Sequence, residues 1–190
     1  MKTSIKLVAV LALGVVGGSV FSGCASTATR QSTGEYVDDT ATTARVKTAL
    51  IRDDTVKAGQ VDVETFKGHV QLNGFVDTEE QRIRAEQLAA SVEGVLQVTN
   101  NLALRSTPGG QTAGQYMDDS AITAKVKTAM VRDQMVSARQ VQVETFNGTV
   151  QLSGFVDTEQ QRARAEQIAS SVEGVQNVQN NITVKTSPAE

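Results

Sequence analysis

One thiol and one imidazole are all that this 190-residue chain offers for nucleophilic or transition-metal chemistry. Cys24 lies in the stretch SVFSGCAS, directly behind an apolar run, and three readings are open for it: a small buried hydrophobe, a reactive thiol, or a site of processing. His69 stands alone, so neither a Ser-His or Cys-His pair nor a Cys/His zinc spacing can be written around it twice. The carboxylates Asp38, Asp39, Asp118 and Asp119 have the charge to hold calcium, but at the start of a helix they serve as caps and offset its dipole. The glycines at 68, 74, 94, 109 and 110 suit turns, a close strand contact, a helix stop and a linker rather than a phosphate loop. No catalytic constellation and no metal site is expected.

The elements around Cys24 decide between its readings. Lys2 and Lys6 form a positive head, Leu7 to Val16 is apolar with a single glycine, and the small-residue stretch GGSVFSGC comes next. That run is short and glycine-rich for a membrane-spanning helix and has the make-up of a secretory signal. Phe21-Ser22-Gly23-Cys24 resembles the lipobox of bacterial lipoprotein precursors at three of four positions, with Phe21 where leucine is usual. The resemblance implies cleavage before Cys24, diacylglycerol in thioether linkage on its sulfur, and acylation of the new amine. Several acyl chains hold durably where one holds marginally, at about 0.8 kcal/mol per buried methylene. Ala25 follows the cysteine, and by the enteric sorting rule this implies an outer-membrane anchor facing the periplasm. No other cofactor is expected.

The formal charge is -3, and loss of the signal removes two lysines, leaving a chain at about -5. Nucleic-acid binding needs a basic face and is not expected of so acidic a protein. Aromatic residues make up 4% with no tryptophan, so the core must be aliphatic.

Past the signal, one module is written twice. FVDTEEQRIRAEQLAASVEGV at 75–95 returns as FVDTEQQRARAEQIASSVEGV at 155–175, and a shift of about 80 residues aligns the two halves without a gap. Each copy opens on a helix, with Asp38, Asp39 and Thr40 suited to cap it and an inward stripe through Thr42, Val46, Ala49 and Leu50. Alternation through Val61, Val63, Val70 and Leu72 predicts a hairpin turning at Lys67-Gly68, and at Asn147-Gly148 in the second copy. Thr78-x-x-Gln81 and Thr158-x-x-Gln161 are capping boxes for a second helix, whose stripe is Ala85, Leu88, Ala89 and Val92 and whose stop is Gly94. A last strand runs through Val98, Leu102 and Leu104. The expected class is α+β: two tandem modules, each α-β-β-α-β, with two helices on one face of a three-stranded mixed sheet. The expected boundaries are a signal peptide at 1–23, an acylated N-terminus and linker at 24–35, modules at 36–105 and 116–185, a linker at 106–115 and a tail at 186–190.

The Asp before helix one, GxVxLxGxV across the hairpin and GVxxVxNxL at the end make the module resemble the BON domain. Gly68 to Val76 and Gly148 to Val156 carry the middle motif; Gly94-Val95, Val98, Asn100 and Leu102 carry the last, matched by Gly174-Val175, Val178, Asn180 and Ile182. A lipobox before two such copies is similar to dual-BON outer-membrane lipoproteins. The resemblance implies phospholipid binding and envelope integrity under osmotic stress, without enzymatic activity. The alternative is an adaptor for an envelope protein partner.

The copies differ in informative places. The second moves from about -3 to about -1 through Asp54 to Gln134, Asp62 to Gln142 and Glu80 to Gln160, and gains Arg139 opposite Gly59. Met117, Met130 and Met135 replace Val37, Leu50 and Thr55. On a helical wheel Lys127, Val131 and Met135 fall away from the stripe of Ile122, Val126, Ala129 and Met130. Apolar residues among cations on an outward face suit a headgroup layer. The expected contact with phospholipid, anionic by preference, is therefore Lys127, Val131, Arg132, Met135 and Arg139. Phe66, Phe75, Phe146 and Phe155 recur in register and are read as core or as a contact between modules.

Overall fold

The computed structural model describes residues 32–105 and 111–185. The first module runs α1 (Thr33–Arg52), β1 (Val61–Phe66), β2 (His69–Val76), α2 (Glu79–Ala90), β3 (Gln97–Asn100) and β4 (Ala103–Leu104). The second repeats it as α3 (Ala113–Arg132), β5 (Val141–Phe146), β6 (Thr149–Val156), α4 (Glu159–Ser170) and β7 (Asn177–Val184). In each, the central strand pairs antiparallel with its hairpin partner and parallel with the strand after the crossover helix. The fold is α+β, with two mixed sheets each covered by two helices, as the sequence predicts.

The helices bury the expected stripes. Thr42, Val46 and Leu50 of α1 and Ala85 and Ala89 of α2 close over Val63, Val70, Leu72 and Val76; Ile122, Val126 and Met130 lead the equivalent cluster in the second module. Met130 is thus core, whereas Met117 and Met135 are exposed. The second helices start at the expected threonines, and in α4 the capping box is complete: Thr158 Oγ1 accepts from the Gln161 N–H at 3.2 Å while Gln161 Oε1 accepts from the Asp157 and Thr158 N–H groups. In α2 only half of the box forms: Thr78 Oγ1 accepts from the Gln81 N–H at 3.2 Å, while Gln81 Oε1 accepts from the Asp77 N–H at 2.9 Å. Thr158→Ala should lower the unfolding free energy by about 1 kcal/mol in urea denaturation, a loss that Thr158→Ser should largely restore.

The first helices correct the expected cap. α1 begins at Thr33, where Ser32 and Glu35 form a capping box, and α3 begins at Ala113, where Thr112 and Gln115 do the same. Asp39 and Asp119 therefore lie inside their helices, and both are buried. Their carboxylates reach the hairpin turns instead. Asp119 accepts from the Asn147 N–H at 2.6 Å and the Gly148 N–H at 2.9 Å; Asp39 holds the Lys67 N–H and, at 2.9 Å, the Gly68 N–H. Both turn residues have positive φ, 50° and 75° at Lys67-Gly68 and 47° and 71° at Asn147-Gly148, the two-residue turn that fits strand twist.

The other faces of the two sheets cover each other. The Gly154 N–H donates to Gln71 Oε1 at 3.1 Å, and the Gly74 N–H donates to Gln151 Oε1 at 2.5 Å. Gln71 Nε2 also donates to Thr183 Oγ1, and Gln151 Nε2 to the Asn101 carbonyl. Phe66 packs on Phe155 and Phe75 on Phe146, each pair with ring centroids 5.4 Å apart. The recurring phenylalanines are a contact between modules, arranged about a pseudo-two-fold axis between β2 and β6. Gln71 and Gln151 are each 1% exposed, so their amide groups are satisfied inside this contact rather than by water.

Candidate functional site

The residues expected at a phospholipid surface occupy the C-terminal end of α3 and the connection from it to β5. Lys127 is exposed, Val131 is 71% exposed on the last turn, and Arg132 ends the helix beside it. Because α3 stops at Arg132, Met135 is not on its wheel; Asp133 takes an extended conformation and the chain turns away. The Met135 N–H donates to Asp133 Oδ1 at 2.9 Å, and Arg164 of α4 donates to Asp133 Oδ2 at 2.9 Å. These interactions, the backbone donor first and the guanidinium after it, hold the Asp133 carboxyl below its usual range against its partial desolvation. The carboxylate fastens the turn to α4. Met135, 52% exposed, then lines a shallow groove of about 740 Å³ with Gln160, Ala163, Arg164 and Gln167.

The structure brings Val131, Arg132 and Met135 to the same end of the module and leaves Lys127 a turn behind, where its charge acts on Glu144 of β5. Arg139 is exposed in the segment before β5. Among the described residues none of Lys127, Arg132 and Arg139 is in an ion pair. Module one has the same scaffold: Asp53 accepts from the Thr55 N–H and from Arg84, and Ile51 is 70% exposed. The distinguishing features of module two are therefore Gln134 for Asp54, Met135 for Thr55 and Arg139 for Gly59, which remove a negative charge and add an apolar side chain and a cation.

Cys24 lies outside the described residues. His69 is an exposed first residue of β2. Among the described residues no three His, Cys, Asp or Glu side chains are grouped as a metal site would need, and no helix is long and apolar enough to cross a membrane. The phenylalanines were open to a contact between modules; what sequence reasoning missed is the part that Gln71 and Gln151 take in it. A second cleft, of about 820 Å³, opens beside that contact, lined among others by Asp62, Phe75, Arg105, Tyr116, Glu144 and Phe146. The signal was present in the identical Gln71 and Gln151, polar residues at a buried register in both copies.

Two helices over a three-stranded mixed sheet, written twice and packed sheet to sheet, define a tandem α+β module protein. The BON domain model matches residues 38–106 and 118–186, and the chain belongs to the BON-domain family. Its relatives include osmotically-inducible protein Y of Escherichia coli (strain K12), 41% identical over 80% of this chain and 75% of that protein. Outer membrane lipoprotein DolP of Haemophilus influenzae is 36% identical over 86% of this chain and 83% of its own length. A 21 kDa hemolysin of Actinobacillus pleuropneumoniae is 34% identical over 78% of this chain and 75% of that protein.

Proposed function

We propose that this protein is a lipoprotein anchored through Cys24 in the outer membrane, facing the periplasm, and that its second module binds the phospholipid surface in support of envelope integrity under osmotic stress. It works by binding, not by catalysis. The observation that carries the reading is the exposed pair Val131 and Met135 at the same end of the module as the exposed cations Arg132, Lys127 and Arg139. Apolar side chains enter the headgroup boundary while cations meet lipid phosphates, and the attraction falls with salt. The relation to an outer membrane lipoprotein and to an osmotically inducible protein supports both the anchor and the setting. Weak contacts suffice, because an anchor at Cys24 keeps the modules at high effective concentration near lipid.

Co-sedimentation of residues 25–190 with vesicles, anionic against neutral and at low against high salt, tests this. Binding to anionic vesicles should weaken roughly tenfold in the double variant Val131→Asp, Met135→Asp, from loss of apolar burial and added repulsion. Unchanged binding would remove these residues from the lipid contact. Absence of vesicle binding with saturable capture of an envelope protein would favour the adaptor reading instead.

A further inference from the structure

The glycine-to-glutamine and phenylalanine contacts between the modules are reciprocal, but one pair of facing polar positions is not. On one side Gln142 Nε2 donates to Glu64 Oε1 at 3.1 Å. The duplication makes 62 equivalent to 142 and 144 to 64, so the counterpart on the other side is Asp62 against Glu144, a carboxyl where the first side has an amide. The two side chains line the same cleft, close enough that the Asp62 charge acts on Glu144. An amide donates to a carboxylate at any pH; a second carboxyl does so only while it carries a proton. Two carboxylates in contact repel, and a single shared proton turns the repulsion into a hydrogen bond.

The surroundings do not supply a neutralising contact. Lys127 of α3 acts on Glu144 from a distance, as the weakest of the influences on it. Arg105, after β4, is committed to the Phe75 carbonyl at 3.0 Å, to Asp77 at 3.4 Å and to the ring of Phe146. Asp119 of α3 lines the cleft but is occupied by the hairpin amides, and Tyr116 completes the wall. On the other side Glu64 faces Gln142, with Lys47 and Asp62 acting from further off. Burial first, then the Asp62 charge, push the Glu144 carboxyl up to about 7, and burial raises Glu64 as well.

We propose that Asp62 and Glu144 form a proton-operated latch between the two modules, closed while the pair holds a proton and loosened when it loses it. In the separated state Glu144 is a solvated carboxyl near its ordinary 4.5, so the packed state binds more protons between pH 4.5 and 7. Packing is therefore strongest below that window, weakens as pH rises through it, and reaches a lower plateau above about 7. Loosening bares the sheet faces that carry Gln71, Phe75, Gln151 and Phe155.

Amide hydrogen exchange on the full chain in detergent micelles reads the latch. The Gly74 and Gly154 N–H groups donate across the interface, whereas Val46 and Val126 lie in the helices and report unfolding of each module. From pH 5 to 8 the protection factors of Gly74 and Gly154 should fall on the order of tenfold to a hundredfold while those of Val46 and Val126 hold. Glu144→Gln should keep the pH 8 protection at its pH 5 level. Gln142→Glu, which places a second carboxyl pair against Glu64, should steepen the fall. A pH response that is absent in the native chain, or unaltered in Glu144→Gln, overturns the latch.

Discussion

Replacing Asp119 with alanine is expected to cost module two about 3 kcal/mol of unfolding free energy, and Asp39→Ala somewhat more in module one. Each carboxylate is buried, with Asp119 5% exposed, and each directs both oxygens at consecutive backbone N–H groups of a hairpin turn. Removing it leaves two donors short of a partner in a crowded turn, and desolvated donors are costly. The difference between modules follows from the turn residue. Asparagine tolerates the left-handed conformation that Asn147 adopts, whereas Lys67 at φ 50° has no such preference and relies more on the carboxylate that holds its amide. Urea denaturation of the single variants checks both magnitudes. Asp119→Asn, which keeps one acceptor, should recover part of the loss; full stability in Asp39→Ala would mean the turn forms without its anchor.

A second large effect is expected at Gly74 and Gly154. Their φ angles are 119° and 118°, and a Cβ on either would stand 2.2 or 2.1 Å from the backbone oxygen of Gln60 or Gln140. That atom belongs to the chain entering β1 or β5 and cannot rotate away as a side chain could. Gly74→Ala or Gly154→Ala must therefore part the hairpin strands as well as strain the backbone, at about 3 kcal/mol or more. The same amides donate across the module interface, so exchange protection at the partner position should fall too. Gly59→Ala is the control: nothing lies within 4 Å of its Cβ, and stability should stay within about 0.5 kcal/mol. Thermal and urea unfolding of the three variants give the comparison.

The element order, both hairpin turns, the threonine caps at Thr78 and Thr158 and the apolar stripes were legible because each is a local pattern. The start of α1 was not. Asp38-Asp39-Thr40 has the composition of a cap, while the true cap at Ser32 begins a polar first turn with no apolar period to announce it. Asp39 acts on a turn 28 residues away, and only the folded hairpin gives it that partner. The last strand shows a similar limit. It breaks between β3 and β4 around Asn101 and Leu102, but β7 runs unbroken where Ile182, Thr183 and Val184 replace Leu102, Ala103 and Leu104, in keeping with β-branched preference. For the candidate site, Val131 and Arg132 could be placed from periodicity, and Met135 could not, because the wheel ends with the helix.

The reciprocal contacts about the axis between β2 and β6 also bear on how such a chain diversifies. In a pair of identical one-module chains, any substitution at the mutual face appears on both sides at once, and an Asp against Glu144 would bring a second like-charge contact with it. Joining the copies in one polypeptide lifts that constraint. Asp62 can differ from Gln142, and Met135 from Thr55, so one half is free to acquire a trait while the other preserves the shared architecture.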